Sequence, residues 1–521
     1  MAGIIDRSLK ILKAARGVAA LRKAEGANDR ARAQAALAEL FADARGVTMK
    51  IGQLFSEMDG GSPFDTLAKG IEPYPLETMM PVLEGGLGRA ASEVFEHIDD
   101  RGIAASLGQV HKAVLKNGDT VAVKIRYPEI AEAVAAEMKL TGLIPGMGPA
   151  KKWGIDLAGY KRALKDNMDQ ELDYRTEATR QMAFYEAVVL PGLCIPKIYP
   201  EFCSEAVLVQ SWQEGAYLDA ILDWPERDRE RVGRLILSTF LHCLFVTGEM
   251  HGDPHLGNSL YRRTEGGDVE MALLDFGCTI SITPAQRESL LELVLACRDG
   301  RTVPAFECLV DMGFDADKLG YIHHALPGST QVLLKPFLSD SPFNANTWNM
   351  KAAFDDLLGE QRWWLRSAGP PESLLTVRAF HGVIAQLENL KCSLSWWSVL
   401  KDILGPTMIS QAETRLAKRR NKLTDETAMS DTTDEDNRPA FARELRVHVT
   451  EGPRMVVSMT MPAGAAYDIV ELMPGDVIAH IRKTNAVDLD EVVQRVRDTK
   501  ASPQTLFELD RGERHYRVWL E

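Results

Sequence analysis

His251-Gly252-Asp253-Pro254-His255-Leu256-Gly257-Asn258 sets an aspartate five positions before an asparagine, the separation between base and metal-binding asparagine in a kinase catalytic loop. Upstream, Val232, Leu235, Ile236, Phe240 and Leu244 recur at helical spacing, which predicts a helix that runs directly into the loop and anchors it. Downstream, the apolar run Met271-Ala272-Leu273-Leu274 predicts a strand that delivers Asp275-Phe276-Gly277 to the same place. In this arrangement Asn258 and Asp275 are hard oxygen ligands for Mg2+, while Asp253 accepts the proton of an attacking hydroxyl or orients a water.

Phosphoryl transfer from ATP also needs a cation on the nucleotide phosphates and a cover that excludes water. Residues 101–126 alternate as strands do, with a turn at Gly118-Asp119 between Val114-Leu115 and Val121-Ala122-Val123-Lys124, so a hairpin is expected to end on a lysine. Lys124 is the natural phosphate-pairing residue. Glu177, within a helical pattern from Tyr160 to Val188, is its natural partner. Val207 to Gln210 reads as a short buried strand. His251 and His255 read as loop histidines that hydrogen-bond the backbone, and the pairs Trp363-Trp364 and Trp396-Trp397 as core or interface aromatics.

The chain has 521 residues, more than one hydrophobic core fills, so two or three folded units are expected. Its net charge of -14 opposes binding to polyanions, and no nucleic-acid partner is expected. Seven cysteines without metal-ligand spacing fit a reducing cytoplasm. No stretch has the roughly 18 uninterrupted apolar residues of a membrane span. From Ile4 to Ala20, however, apolar residues at heptad-related positions stand among Arg7, Lys10, Lys13 and Arg16. That segment reads as a basic amphipathic helix suited to packing on the protein or to lying peripherally on an anionic membrane.

These residues resemble the UbiB or aarF-domain-containing atypical kinases, a group associated with coenzyme Q and other isoprenoid-lipid metabolism. The resemblance covers residues 45–279 clearly and extends to about residue 416. Its most specific marks are Lys50-Ile51-Gly52-Gln53, Ala104-Ala105-Ser106-Leu107-Gly108-Gln109-Val110-His111, the Val121 to Lys124 strand, and Glu171-Leu172-Asp173-Tyr174 with Glu177-Ala178. It implies that the helix carrying Lys50, Gly52 and Gln53 folds across the active site, where Lys50 meets Glu171 or Asp173 and blocks ordinary protein substrates. It also implies that Ala104, Ala105, Ser106 and Gly108 form an alanine-bearing cover over ATP in place of a glycine-rich one. The sequence departs from the group's pattern at Leu256, where a proline is usual. Asp173 and Glu177 share a helix face, whereas Glu171 lies about 200 degrees from Asp173, so both acids meet Lys50 only if the helix begins or bends there.

Beyond residue 444, alternating segments, Pro474-Gly475-Asp476-Val477-Ile478 and a helix near Asp488 resemble a bacterial-type PDZ domain, with Gly452-Pro453-Arg454-Met455 as its carboxylate-binding loop. Such a module captures peptide ends at a strand edge. The expected fold class is α+β: a helical extension over 1–100, a two-lobed protein-kinase-like fold with an N-lobe over 101–210 and a helical C-lobe over 211–417, a mobile linker over 418–443, and a PDZ-like domain over 444–521. Three functions fit: a UbiB-type kinase or ATPase acting near an isoprenoid lipid, a soluble small-molecule phosphotransferase, and a nucleotide-sensing scaffold that recruits partners through the PDZ-like module.

Overall fold

Alternating burial along one hairpin decides where the chemistry sits. After helix α1 (Leu76–Leu87), strands β1 (Phe95–Ile98), β2 (Ile103–Ala104), β3 (Gly108–Leu115) and β4 (Thr120–Arg126) follow. The structure is a computed structural model that describes residues 72–430 and 442–521, apart from 106, 133, 135–155, 254, 443, 485, 500–501 and 513. Val121, Val123 and Ile125 of β4 are fully buried against Met79 and Leu83 of α1. Because strand side chains alternate between faces, Lys124 must point the other way. The turn joins β3 to β4 through Gly118 at φ +88°, a conformation glycine adopts without strain.

Helices α2 (Leu157–Glu171) and α3 (Tyr174–Ala187) come next, then the short β5 (Leu193–Cys194) and β6 (Val207–Ser211). The antiparallel sheet has the order β1-β3-β4-β6, with β2 on β3. Its Lys124 face carries Leu208 of β6 and packs on Tyr174 and Ala178 of α3. The boundary expected at residue 100 is displaced, because α1 contributes to the same core as β4.

The second core is largely helical. Helix α4 (Glu226–His242) passes through a π-helical turn to Gly248 and then β7 (Glu249–His251). Strands β8 (Ser259–Arg263) and β9 (Val269–Leu273) form a hairpin, with β5 parallel to β9, and β10 (Thr279–Ser281) pairs with β7. Helix α5 (Pro284–Asp299) opens with a reciprocal Thr283–Gln286 capping box. Short helices lead to α6 (Ser373–Leu390) and α7 (Trp396–Ser430), with the two-residue strands β11 (Phe343–Asn344) and β12 (Ser393–Leu394) paired antiparallel. Trp396 is core, as its sequence context suggests.

Helix α7 kinks at Gly405, ahead of Pro406, and continues to Ser430, past the expected linker start at residue 418. Low hydrophobicity misleads there because the helix is held by charge. Arg419 reaches Glu292 at 2.7 Å and Asp311 at 2.8 Å, and Arg420 grips both oxygens of Asp299 at 2.6 and 2.9 Å. No helix among the described residues is long and apolar enough to cross a membrane.

A third core belongs to residues 442–520. Hairpin β13 (Glu444–Glu451) and β14 (Arg454–Pro462) precedes helices α8 (Gly475–Thr484) and α9 (Leu489–Asp498), then β15 (Gln504–Arg511) and β16 (Arg514–Leu520). The antiparallel order is β14-β13-β16-β15. Pro474-Gly475-Asp476-Val477-Ile478 opens α8, where Val477 and Ile481, four apart, face the core. Gly452-Pro453 is the two-residue turn between paired Glu451 and Arg454, with Gly452 at φ +57°. The residues expected to bind a peptide carboxylate instead close a hairpin.

The ion pairs on α7 give a direct test. A chain ending at Ser430 is expected to keep the melting temperature of the first two cores, whereas one ending at Lys418 melts several degrees lower. Loss of about 1–3 kcal/mol corresponds to roughly 2–4 °C per kcal/mol in a unit of this size. Calorimetry of both truncations decides it.

Candidate active site

Sidedness of β4 sends Lys124 toward α3, where both oxygens of Glu177 accept from its Nζ at 2.9 Å. Asp275 Oδ2 accepts from the same ammonium at 3.0 Å, and the Tyr174 ring centroid lies 4.9 Å from it. Glu177 is 1% exposed. Burial pushes its carboxyl up to about 7 although Lys124 opposes the rise. Burial also works against charge on Lys124, yet Asp275 and Glu177 together hold its pKa well above the ordinary value.

Helix α3 organises the segment around Asp275 with more than Glu177. One turn on, Arg180 donates to the Gly277 carbonyl at 2.9 Å, and Gly277 N–H donates to Asp275 Oδ1 at 2.9 Å. Gln181, fully buried, donates to Gln210 Oε1 at 2.7 Å, and Gln210 donates to the Leu274 carbonyl at 3.2 Å. Thus α3, β6 and the residue preceding Asp275 are joined through side-chain amides. The helix does break between the two family acids: Glu171 ends α2, and Asp173 caps α3 by accepting from Arg175 N–H at 3.0 Å.

In the loop after β7, Asp253 is 8% exposed and accepts from Arg378 of α6 at 2.7 Å. Asn258 Nδ2 donates to the Asp253 carbonyl at 3.0 Å, and its own carbonyl accepts from Leu274 N–H at 3.0 Å. The loop is therefore tied directly to the end of β9. His251 Nε2 donates to the Asp275 carbonyl, while burial lowers the imidazole's pKa and keeps it neutral. His255 accepts from Gly257 N–H at 3.1 Å. Both histidines serve the backbone.

Asn258 uses its amide nitrogen on Asp253, which leaves its side-chain oxygen and the Asp275 carboxylate as hard donors on adjoining segments. Among the described residues no group of three or more His, Cys, Asp or Glu side chains could hold a metal by itself. Two protein oxygens completed by phosphate and water are what Mg2+ ordinarily takes at a nucleotide site, so this donor set fits.

Residues 66–303 match the ABC1 atypical kinase-like domain. Over 371 residues it is 25% identical to atypical kinase coq-8, mitochondrial, of Caenorhabditis elegans, covering 69% of this chain and 49% of that protein. Over 265 residues it is 30% identical to atypical kinase COQ8B, mitochondrial, of Rattus norvegicus, covering 49% and 50%. The chain thus spans about half the length of these curated relatives. Among solved structures it is similar to Rv3197 from Mycobacterium tuberculosis in complex with erythromycin, at 24% identity and a TM-score of 0.48, covering 73% of this chain and 98% of that one.

Within the matched region the structure brings together Lys124, Glu177 and Asp275 directly, and Asp253 with Asn258 beside them. Glu171 is buried near Gly277. Lys50, Gly52, Gln53 and Ser106 lie outside the described residues. Ala104 pairs with Gln109, and Ala105 N–H donates to the Gly108 carbonyl at 2.8 Å, which makes the cover a tight hairpin. Gly108 itself begins β3, where a Cβ would lie 2.3 Å from the Ile125 carbonyl oxygen and 2.7 Å from Tyr174 Oη. Its missing side chain is therefore explained by packing. Sequence reasoning missed Arg180, which its three-residue spacing from Glu177 signals, and Arg378, which nothing near the loop signals.

Gly108→Ala is accordingly expected to destabilise the fold by about 1–3 kcal/mol, read by denaturant unfolding. Glu177 yields a pH prediction. Its carboxyl moves from the ordinary 4.5 to about 7 on folding, so the folded state binds more protons between these values. Stability therefore falls as pH rises through that window. Urea titrations from pH 4.5 to 8 are expected to show this fall in wild type and a flatter profile in Glu177→Gln.

Proposed function

We propose that this protein is a UbiB-type atypical kinase or ATPase that takes its phosphoryl group from ATP. The observation that carries the reading is Lys124 held within 3.0 Å of both Glu177 and Asp275, beside a loop that presents Asp253 and Asn258. Lys124 binds nucleotide phosphate, and Glu177 fixes the ammonium in place. Asn258 and Asp275 hold Mg2+, which when bound neutralises charge on the phosphates. Asp253 takes the proton from an acceptor hydroxyl or a water. The acceptor oxygen bonds to the γ-phosphorus as the bond from that phosphorus to the bridging oxygen breaks, and ADP leaves.

The relatives named coq-8 and COQ8B support a role in ubiquinone-like isoprenoid-lipid metabolism, and the basic amphipathic pattern over residues 4–20 supports a position at a membrane surface. The C-terminal sheet supports recruitment of an extended peptide at its open edge. There, β14 is the outer strand and exposes Met455, Val456, Val457 and Met459.

Purified protein is expected to hydrolyse ATP in a Mg2+-dependent way, faster with anionic liposomes carrying an isoprenoid-quinone precursor analogue. Asp253→Asn should lower kcat by roughly 10²- to 10⁴-fold while nucleotide affinity persists. Wild-type protein that binds nucleotide without turnover, with or without lipid, rejects the enzyme reading in favour of a scaffold; robust transfer to an aminoglycoside, choline or a sugar favours a small-molecule phosphotransferase.

A further inference from the structure

The buried pair between Asp253 and Arg378 joins residues 125 positions apart in sequence, and Arg378 lies beyond the 66–303 match, on α6. Both residues are nearly inaccessible, at 8% and 6% exposure. A carboxylate in that setting needs a hydrogen-bonded opposite charge, because desolvation penalises it severely otherwise. The guanidinium supplies this charge in a planar geometry that restricts where the carboxylate can turn. Asp253 is thus fixed at two points: its side chain by Arg378 at 2.7 Å and its carbonyl by Asn258 at 3.0 Å.

Helix α6 is itself a firm seat. Tyr261 of β8 donates to Gln386 Oε1 at 2.9 Å, eight residues beyond Arg378 on the same helix. Ala379, Val383 and Gln386 also line a cavity of about 40 Å³ together with His251, the first residue of the loop motif. The helix therefore contacts the loop at Asp253, backs it at His251 and grips the strand that follows it.

We propose that Arg378 is the positioning residue of the phosphoryl-transfer loop, holding Asp253 in its acceptor-facing orientation, so that α6 completes a centre which the 66–303 domain alone leaves unfinished. This rests on the phosphoryl-transfer reading above. Arg378 acts through Asp253: it aims the carboxylate that receives the acceptor's proton, and nucleotide binding stays with Lys124 and its partners.

The test compares full-length wild type, Arg378→Met, Arg378→Lys, Asp253→Asn and the double variant Asp253→Asn/Arg378→Met by kcat and KM for ATP turnover, nucleotide Kd and thermal melting. Arg378→Met is expected to lower kcat roughly 10- to 100-fold, as misplacement of a catalytic group does, with KM and Kd within about twofold of wild type. Arg378→Lys should fall between them, since charge remains but the planar fork does not. The double variant should be no slower than Asp253→Asn, because both changes disable one unit. Wild-type kcat in folded Arg378→Met, nucleotide affinity lost in step with kcat, or a further drop in the double variant overturns the proposal. Should Arg378→Met fail to fold, a folded Arg378→Lys with wild-type kcat overturns it. Wild-type protein without turnover removes the reading and this inference together, whereas turnover indifferent to Arg378 removes only the inference.

Discussion

An ammonium group largely withdrawn from water must meet opposite charge, and Lys124 meets it twice, on Glu177 and on Asp275. The three groups come from a strand, a helix and a loop separated by as many as 151 residues. Desolvating each ion alone costs several kcal/mol, so the charges stabilise the site only when all three elements are correctly placed. That requirement couples the sheet, α3 and the segment after β9 into one unit. The sidedness of β4 makes the coupling possible, since Val123 and Ile125 commit the opposite face to the core.

Around that cluster, neutral polar links do the fixing. Gln181 and Gln210 are buried and bonded to each other, and Gln210 reaches the carbonyl just before Asp275. His251 holds the Asp275 carbonyl, and burial keeps its ring neutral so that no further charge enters the site. Buried polar networks of this sort specify geometry strongly because any unsatisfied member is penalised in a low-dielectric interior. The cover is set by sterics: β3 approaches α3 so closely at Gly108 that no Cβ fits between Ile125 and Tyr174.

Much of this was legible because the relevant signals are local. Lys124 at the end of an alternating strand, the Asp253–Asn258 spacing and an apolar run leading to Asp275 each fit within a few residues, and the structure brings them together. Arg378 was not legible, since its meaning depends on how α6 packs beneath the loop. Nor did alternation alone reveal the break between Glu171 and Asp173. There the aspartate's capping of Arg175 N–H competes with continuation of the helix and wins.

The C-terminal segment shows how a short motif misleads when its register is undetermined. Pro474-Gly475-Asp476-Val477-Ile478 suits a turn entering a strand, yet Pro474 and Gly475 equally suit the start of a helix. Farther along, Val477 and Ile481 repeat at four residues and belong to the same core as Leu445, Leu506 and Val518. In a strand the intervals of four would also share a face, so spacing alone leaves both states open. The sheet removes the ambiguity, because β13, β14, β15 and β16 already complete its order and α8 packs with the helices between the second and third strands. Among the described residues β14 keeps one edge unpaired in this order, and its exposed methionines and valines stand on that edge strand without the carboxylate-binding loop expected beside them.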